Sequence, residues 1–99
     1  MSENPTNRVR LHLLVTGRVQ NVGFRAFVQQ TATLHQLTGW VRNVGYDQVE
    51  AEAEGSRQSL ELFSQQLGIG PRGSRVDDLQ VEWGDAIGGS NSFVIRSSK

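Results

Sequence analysis

The sequence contains no cysteine, which excludes disulfide bonds, thiolate catalysis and metal sites built from thiolates. Its formal net charge is zero, because 10 basic and 10 acidic side chains cancel, and this balance argues against nucleic-acid binding through bulk charge. No apolar run approaches the roughly 20 residues that a membrane helix requires. These absences favour a globular domain without a nucleic-acid or membrane partner.

A chain of 99 residues is large enough for one domain with a single core. Residues 1–7 are short and polar, contain Pro5, and lack the apolar segment of a signal peptide. We therefore expect a flexible tail over residues 1–7, a single domain over residues 8–99, and a cytoplasmic location by default. The two histidines, His12 and His35, are far apart and have no clustered carboxylates, so no metal site is predicted.

Hydrophobic periodicity predicts five strands and two helices. In chain order these are a strand over 8–15, a helix over about 23–36, strands over 39–43 and 48–55, a helix over about 56–67 with Ser56 as N-cap, and strands over 76–83 and 92–96. The order is β-α-β-β-α-β with an extra C-terminal strand. It predicts an α+β fold, the ferredoxin-like plait, with an antiparallel sheet and both helices on one face.

In that topology the first and third strands are neighbours. Their polar faces would then set a basic row beside a row of glutamates: Arg8, Arg10 and His12 opposite Glu50, Glu52 and Glu54. Such complementary charge supports the predicted pairing, although each exposed pair contributes only a few tenths of a kcal/mol. The glutamate row is expected to be a solvated sheet face.

The stretch GRVQNVGFR, over residues 17–25, joins the end of the first strand to the start of the first helix. A glycine-bracketed loop that enters a helix offers backbone N–H groups to an anion, and the helix dipole adds partial positive charge. Arg25 lies in the first helical turn, where its guanidinium could hold a phosphate or carboxylate. The candidate phosphate-binding residues are Arg18, Val19, Gln20, Asn21, Val22 and Gly23. Taken alone, the stretch could equally be an ordinary connection with a surface arginine.

This stretch resembles one signature of the acylphosphatase family, and the block GWVRN over residues 39–43 resembles the other. Length and element order also match over nearly the whole chain after the first seven residues. The resemblance implies an enzyme that hydrolyses the carboxyl–phosphate anhydride of small acyl phosphates without a cofactor or metal. It assigns the phosphate grip to Arg25 and the orientation of the attacking water to Asn43.

Two departures from the family pattern stand out. Asn21 occupies a position where the family usually has glycine, and asparagine is among the few other residues that tolerate positive φ. The turn before the third strand contains Gly45, Tyr46 and Asp47, where the family often has an Asp-Gly pair, so its turn type is open. We expect Asn43 to keep its register and to share the helix-covered face with Val41.

Other functions remain open at this point. The main alternative is a non-catalytic module that binds phosphate or acyl phosphate. Related domains also occur in larger carbamoyl-transferring maturation proteins. Because the sequence to Lys99 accommodates a single domain, we expect a stand-alone enzyme. RNA binding is the weakest reading, because three glutamates on the open sheet face would repel a phosphate backbone. The expected partners are a small acyl phosphate and inorganic phosphate, as product and inhibitor, and the expected state is a monomer.

Overall fold

The computed structural model describes residues 7–99, so the predicted tail, apart from Asn7, lies outside the described residues. All seven predicted elements are present in the predicted order. They are β1 (Val9–Arg18), α1 (Phe24–Leu34), β2 (Thr38–Val44), β3 (Gln48–Gly55), α2 (Arg57–Ile69), β4 (Arg75–Asp85) and β5 (Phe93–Ile95). Within residues 7–99, neither helix has the length and apolar character needed to cross a membrane.

Both helices bury one apolar face against the sheet, as their spacing predicts. In α1 the buried positions are Phe24, Val28, Thr31 and Ala32; in α2 they are Leu60, Phe63 and Leu67. The Ser56 hydroxyl accepts a hydrogen bond from the Ser59 N–H at 3.2 Å, which satisfies one of the free donors at the start of α2. The predicted N-cap is therefore confirmed.

The five strands form one sheet in the order β4-β1-β3-β2-β5. β1 pairs antiparallel with both β3 and β4, and β2 pairs antiparallel with β3. The predicted neighbourhood of the first and third strands is thus confirmed. The antiparallel prediction fails at one place, because β5 runs parallel to β2. The sheet is mixed rather than wholly antiparallel.

The direction of β5 follows from that of β4, which is antiparallel to β1 and therefore ends where β2 begins. Glu54 anchors the chain at that point. Its carboxylate is buried and accepts hydrogen bonds from the backbone N–H groups of Ile87 and Gly88, both at 2.9 Å. Glu54 also pairs with Thr38, the first residue of β2. The chain after β4 is therefore held where β2 begins, and from there it continues alongside β2 in the same direction. This role departs from the expectation that all three glutamates are solvated.

The opposite face of the sheet carries the charged rows predicted from the sequence. Arg10 pairs with Glu52 at 3.1 Å. Glu50 is contacted from both sides, by His12 Nε2 at 2.7 Å and by the Arg42 guanidinium at 2.7 Å. Partial burial on its own would raise the pKa of Glu50, but hydrogen bonds and charge from His12 and Arg42 outweigh it and lower the pKa below its ordinary value.

We expect this network to make stability depend on pH. A carboxyl whose pKa is lowered by folding stabilises the protein above its unfolded pKa, which is 4.5 for Glu50, and this stabilisation is lost as the pH falls through the folded value. Glu50→Gln should lower the free energy of unfolding by about 1 kcal/mol near pH 7 and by much less near pH 3. Urea denaturation at both pH values measures this difference. Glu61→Gln, on the exposed side of α2, is the matched control, and an equal loss at both pH values would contradict the expectation.

Candidate active site

A cavity of about 220 Å³ opens between the loop after β1, the first turn of α1 and the end of β2. Its lining combines one cation, three amide side chains, one glycine and apolar side chains. The lining residues are Val19, Gln20, Asn21, Gly23, Phe24, Arg25, Ala26, Asn43 and Ile95. The two residues singled out by the sequence, Arg25 and Asn43, therefore lie on the same cavity although they come from different elements.

The loop curls because two of its residues adopt left-handed backbone conformations. Asn21 has φ 62° and Gly23 has φ 75°. A Cβ added to Gly23 would meet nothing within 4 Å, so the glycine is required by its backbone angle and not by crowding. Left-handed residues in such a loop turn successive N–H groups toward one side and form a concavity for anions. Asn21 thus adopts the positive φ that asparagine tolerates.

Helix α1 begins at this concavity with its N-terminal donors free of a side-chain cap. Gly23 is the N-cap residue and provides no side-chain hydrogen bond, and no acidic residue occupies the first turn. The N–H groups of the first turn, at Phe24, Arg25 and Ala26, therefore have no capping side chain, and all three residues line the cavity. Together with the helix dipole they make this end of the cavity electropositive.

Arg25 adds a full positive charge at the same place. A cation in the first turn of a helix opposes the dipole and costs about 0.3–1 kcal/mol. Among the described residues that line the cavity, none carries a carboxylate that could neutralise the guanidinium. An anion bound between Arg25 and the helix terminus would offset the repulsion between Arg25 and the helix dipole and would neutralise the guanidinium.

Asn43 approaches from the sheet. It pairs with Val49, which is fully buried, so both side chains lie on the helix-covered face, as the alternation with Val41 predicts. The Asn43 Oδ1 atom is buried and has no hydrogen-bond partner within residues 7–99. A buried acceptor left without a donor costs about 1–3 kcal/mol. The amide therefore carries unused hydrogen-bonding capacity at the cavity wall.

The turn between β2 and β3 keeps Asn43 in register despite its unusual sequence. Val44 still pairs with Gln48 across the turn, and Gly45 takes a positive φ of 59°, which glycine adopts without steric cost. The Asp47 carbonyl accepts a hydrogen bond from the Gly17 N–H at 2.9 Å. This bond connects the turn to the end of β1, just before the loop that leads to α1.

Not every predicted loop residue lines the cavity. Arg18 is the last residue of β1, is exposed, and pairs with Arg75 of β4. Val22 packs its side chain against the core. Among residues 7–99 no group of three or more His, Asp or Glu side chains could hold a metal ion.

Sequence reasoning missed three lining residues. Phe24 and Ala26 could have been found, because they flank Arg25 in the first turn of a predicted helix. Ile95 could not, since its place depends on the parallel pairing with Val41 of β2, and no local sequence signal indicates that pairing.

The fold and the charge of the cavity define a small α+β domain that can bind a compact anion. Comparison with known proteins supplies the family. The acylphosphatase family model matches residues 11–95. A relative from Anaeromyxobacter sp. (strain Fw109-5), named acylphosphatase, is 46% identical over 87 residues, which cover 88% of this chain and 94% of the relative.

A second relative and a solved structure indicate the same family. An acylphosphatase from Thermus thermophilus is 47% identical over 79 residues, covering 80% of this chain and 90% of the relative. The crystal structure of acylphosphatase from Bacillus subtilis superposes with a TM-score of 0.85 at 38% identity, covering 89% of this chain and 98% of that one. The chain belongs to the acylphosphatase family. The predicted family, fold and enzyme class are thereby confirmed, while the roles of individual residues remain predictions.

The backbone of Asn21 gives a first test of the loop. Asn21→Gly should leave the free energy of unfolding unchanged or raise it by up to about 1 kcal/mol, because glycine adopts positive φ without strain. Gln36→Gly is the matched control, since Gln36 has φ 59° just beyond the C-terminal end of α1. Urea denaturation of both variants and inhibition by inorganic phosphate are the measurements. Weakened phosphate binding in Asn21→Gly alone would show that the asparagine side chain contributes to the site.

Proposed function

We propose that this protein hydrolyses small acyl phosphates, R–CO–O–PO₃²⁻, to a carboxylate and inorganic phosphate. In this proposal the predicted loop residues that line the cavity, Val19, Gln20, Asn21 and Gly23, hold the phosphoryl group together with Arg25, and Asn43 orients the attacking water. The observation that carries it is the shared cavity of Arg25 and Asn43, in a chain whose family is established. The expected cytoplasmic location, monomeric state and inhibition by phosphate stay predictions that accompany it.

The proposed binding of the phosphoryl group rests on charge. An acyl phosphate presents a dianion, and the cavity offers it uncapped N–H groups at the start of α1 and the Arg25 guanidinium. Charge-assisted hydrogen bonds of this kind are roughly twice as strong as neutral ones. Donors that are already oriented before the reaction stabilise the phosphoryl charge in the transition state without reorganisation.

The proposed orientation of the attacking water rests on Asn43. A side-chain amide can accept one hydrogen bond and donate another, so it can hold a water molecule in a fixed orientation. The water oxygen forms a bond to phosphorus while the bond from phosphorus to the carboxylate oxygen breaks, and the carboxylate departs with that electron pair. Asn43 cannot act as a base near neutral pH, so the water proton passes to a phosphate oxygen of the substrate.

Such a reaction makes modest demands on the protein. The carboxylate is a stable leaving group, so no protein acid is needed to protonate it. Positioning of the water and stabilisation of the phosphoryl charge are then the main contributions of the site. The proposal needs no cofactor or metal.

Hydrolysis of benzoyl phosphate with EDTA present tests the proposal. We expect Arg25→Ala to lose about 2–4 kcal/mol of transition-state stabilisation, roughly 30- to 1,000-fold in kcat/KM. Arg57→Ala is the matched control, because Arg57 stacks on Trp83 with its guanidinium carbon 4.2 Å from the ring centroid, at the opposite end of the sheet. A folded wild-type protein that binds phosphate but turns over no benzoyl phosphate would favour the binding module instead.

Substitution of Asn43 should affect the kinetics differently from substitution of Arg25. Asn43→Ala is expected to lower kcat while leaving inhibition by inorganic phosphate largely intact, because the amide acts on water and not on the phosphoryl group. Steady-state kinetics with phosphate as inhibitor measure both effects. Glu52→Gln, on the opposite sheet face, is the control and should have unchanged kinetics. Phosphate binding weakened in Asn43→Ala as much as in Arg25→Ala would contradict the water-orienting role.

A further inference from the structure

Gln20 makes the most concentrated set of side-chain contacts near the cavity. Its Nε2 atom donates toward three backbone carbonyls of the β2–β3 hairpin, those of Val44 at 3.3 Å, Gly45 at 3.0 Å and Gln48 at 3.0 Å. These carbonyls belong to the end of β2, the turn and the start of β3. One side chain of the phosphate-binding loop therefore holds the whole end of the hairpin.

The contact matters because Val44 directly follows Asn43. The two residues proposed to act on phosphate and on water come from separate segments, and hydrolysis requires a defined distance between them. β2 is held on one side by β3, and the Asn43 carbonyl accepts a hydrogen bond from the Lys99 N–H at 2.9 Å. The sheet relates β2 to the end of β1, because β3 pairs with both strands, and the Gly17–Asp47 bond continues this connection by one residue. Further along the loop, the Gln20 side chain is bonded directly to the hairpin that carries Asn43.

We propose that Gln20 is a positioning residue whose side-chain amide sets the location of Asn43 relative to the phosphate-binding loop. The inference rests on the proposed function and deepens it. A direct role for the Nε2 atom in binding substrate is disfavoured, because an amide nitrogen has two hydrogens and three carbonyls already share them. The backbone N–H of Gln20 remains part of the loop and is unaffected by a side-chain substitution.

Gln20→Leu tests the proposal, because leucine lacks the amide and preserves the backbone N–H. Gln48→Leu is the matched control: it makes the same change in the same hairpin and removes the bond from Gln48 Nε2 to the Thr16 hydroxyl at 3.2 Å, but keeps the Gln48 carbonyl. We expect kcat for benzoyl phosphate to fall about 10- to 100-fold in Gln20→Leu, as for a small misplacement of a catalytic group. The inhibition constant for phosphate should change little. If Gln20→Leu does not fold, Gln20→Met, which keeps an unbranched side chain, takes its place.

The double variant with Asn43→Ala identifies the route of the effect. If Gln20 acts through Asn43, adding Gln20→Leu to Asn43→Ala should reduce kcat little further, so the two losses should be strongly non-additive. Fully additive losses would overturn the proposal. So would a loss of phosphate binding that matches the loss of kcat, since the side chain would then shape the loop itself.

Failure of the proposed function would be distinguishable from failure of this inference. If the wild type does not hydrolyse benzoyl phosphate, the proposed function is wrong. The positioning role of Gln20 can still be tested, because the side-chain NH₂ resonances of Asn43 report its position by NMR. These resonances should shift in Gln20→Leu and stay in place in Gln48→Leu. Unchanged Asn43 resonances in Gln20→Leu would overturn the positioning role whatever the activity.

Discussion

β1 and β2 each pair antiparallel with β3, and they must therefore run in the same direction. Their C-terminal ends consequently lie at the same end of the sheet. The loop that follows β1 begins there, and Asn43 lies there near the end of β2. Two segments that are separate in sequence thus meet through the shared partner strand, and the rest of the site depends on this pairing.

The cavity gathers four features that the described part of the chain leaves uncompensated. Asn21 holds a left-handed backbone, the start of α1 has no side-chain cap, Arg25 opposes the helix dipole, and the Asn43 Oδ1 atom is buried without a partner among the described residues. Each costs on the order of 1 kcal/mol. Local rules are broken together at one place, as expected where a ligand stabilises what the chain alone does not.

The two faces of the sheet differ in what they contain. The helix-covered face contains the core and the cavity. On the opposite face the charged side chains pair with one another, as His12 and Arg42 do with Glu50. On the same face the Glu54 carboxylate holds the chain at Ile87 and Gly88. Ile95 reaches the cavity because β5 runs parallel to β2 and places it beside Val41.

The sequence by itself determined the elements, their order and the pairing of β1 with β3, because alternation, helical spacing and complementary charges are local patterns or simple matches between them. It also singled out Arg25 and, through the family resemblance, Asn43. The tertiary structure alone decided the parallel direction of β5, the cavity position of Ile95, the outward position of Arg18, the burial of Glu54 and the three bonds of Gln20. Each of these features depends on contacts between segments that are far apart in the sequence. The residue pattern within one segment does not indicate which groups another segment will bring next to it.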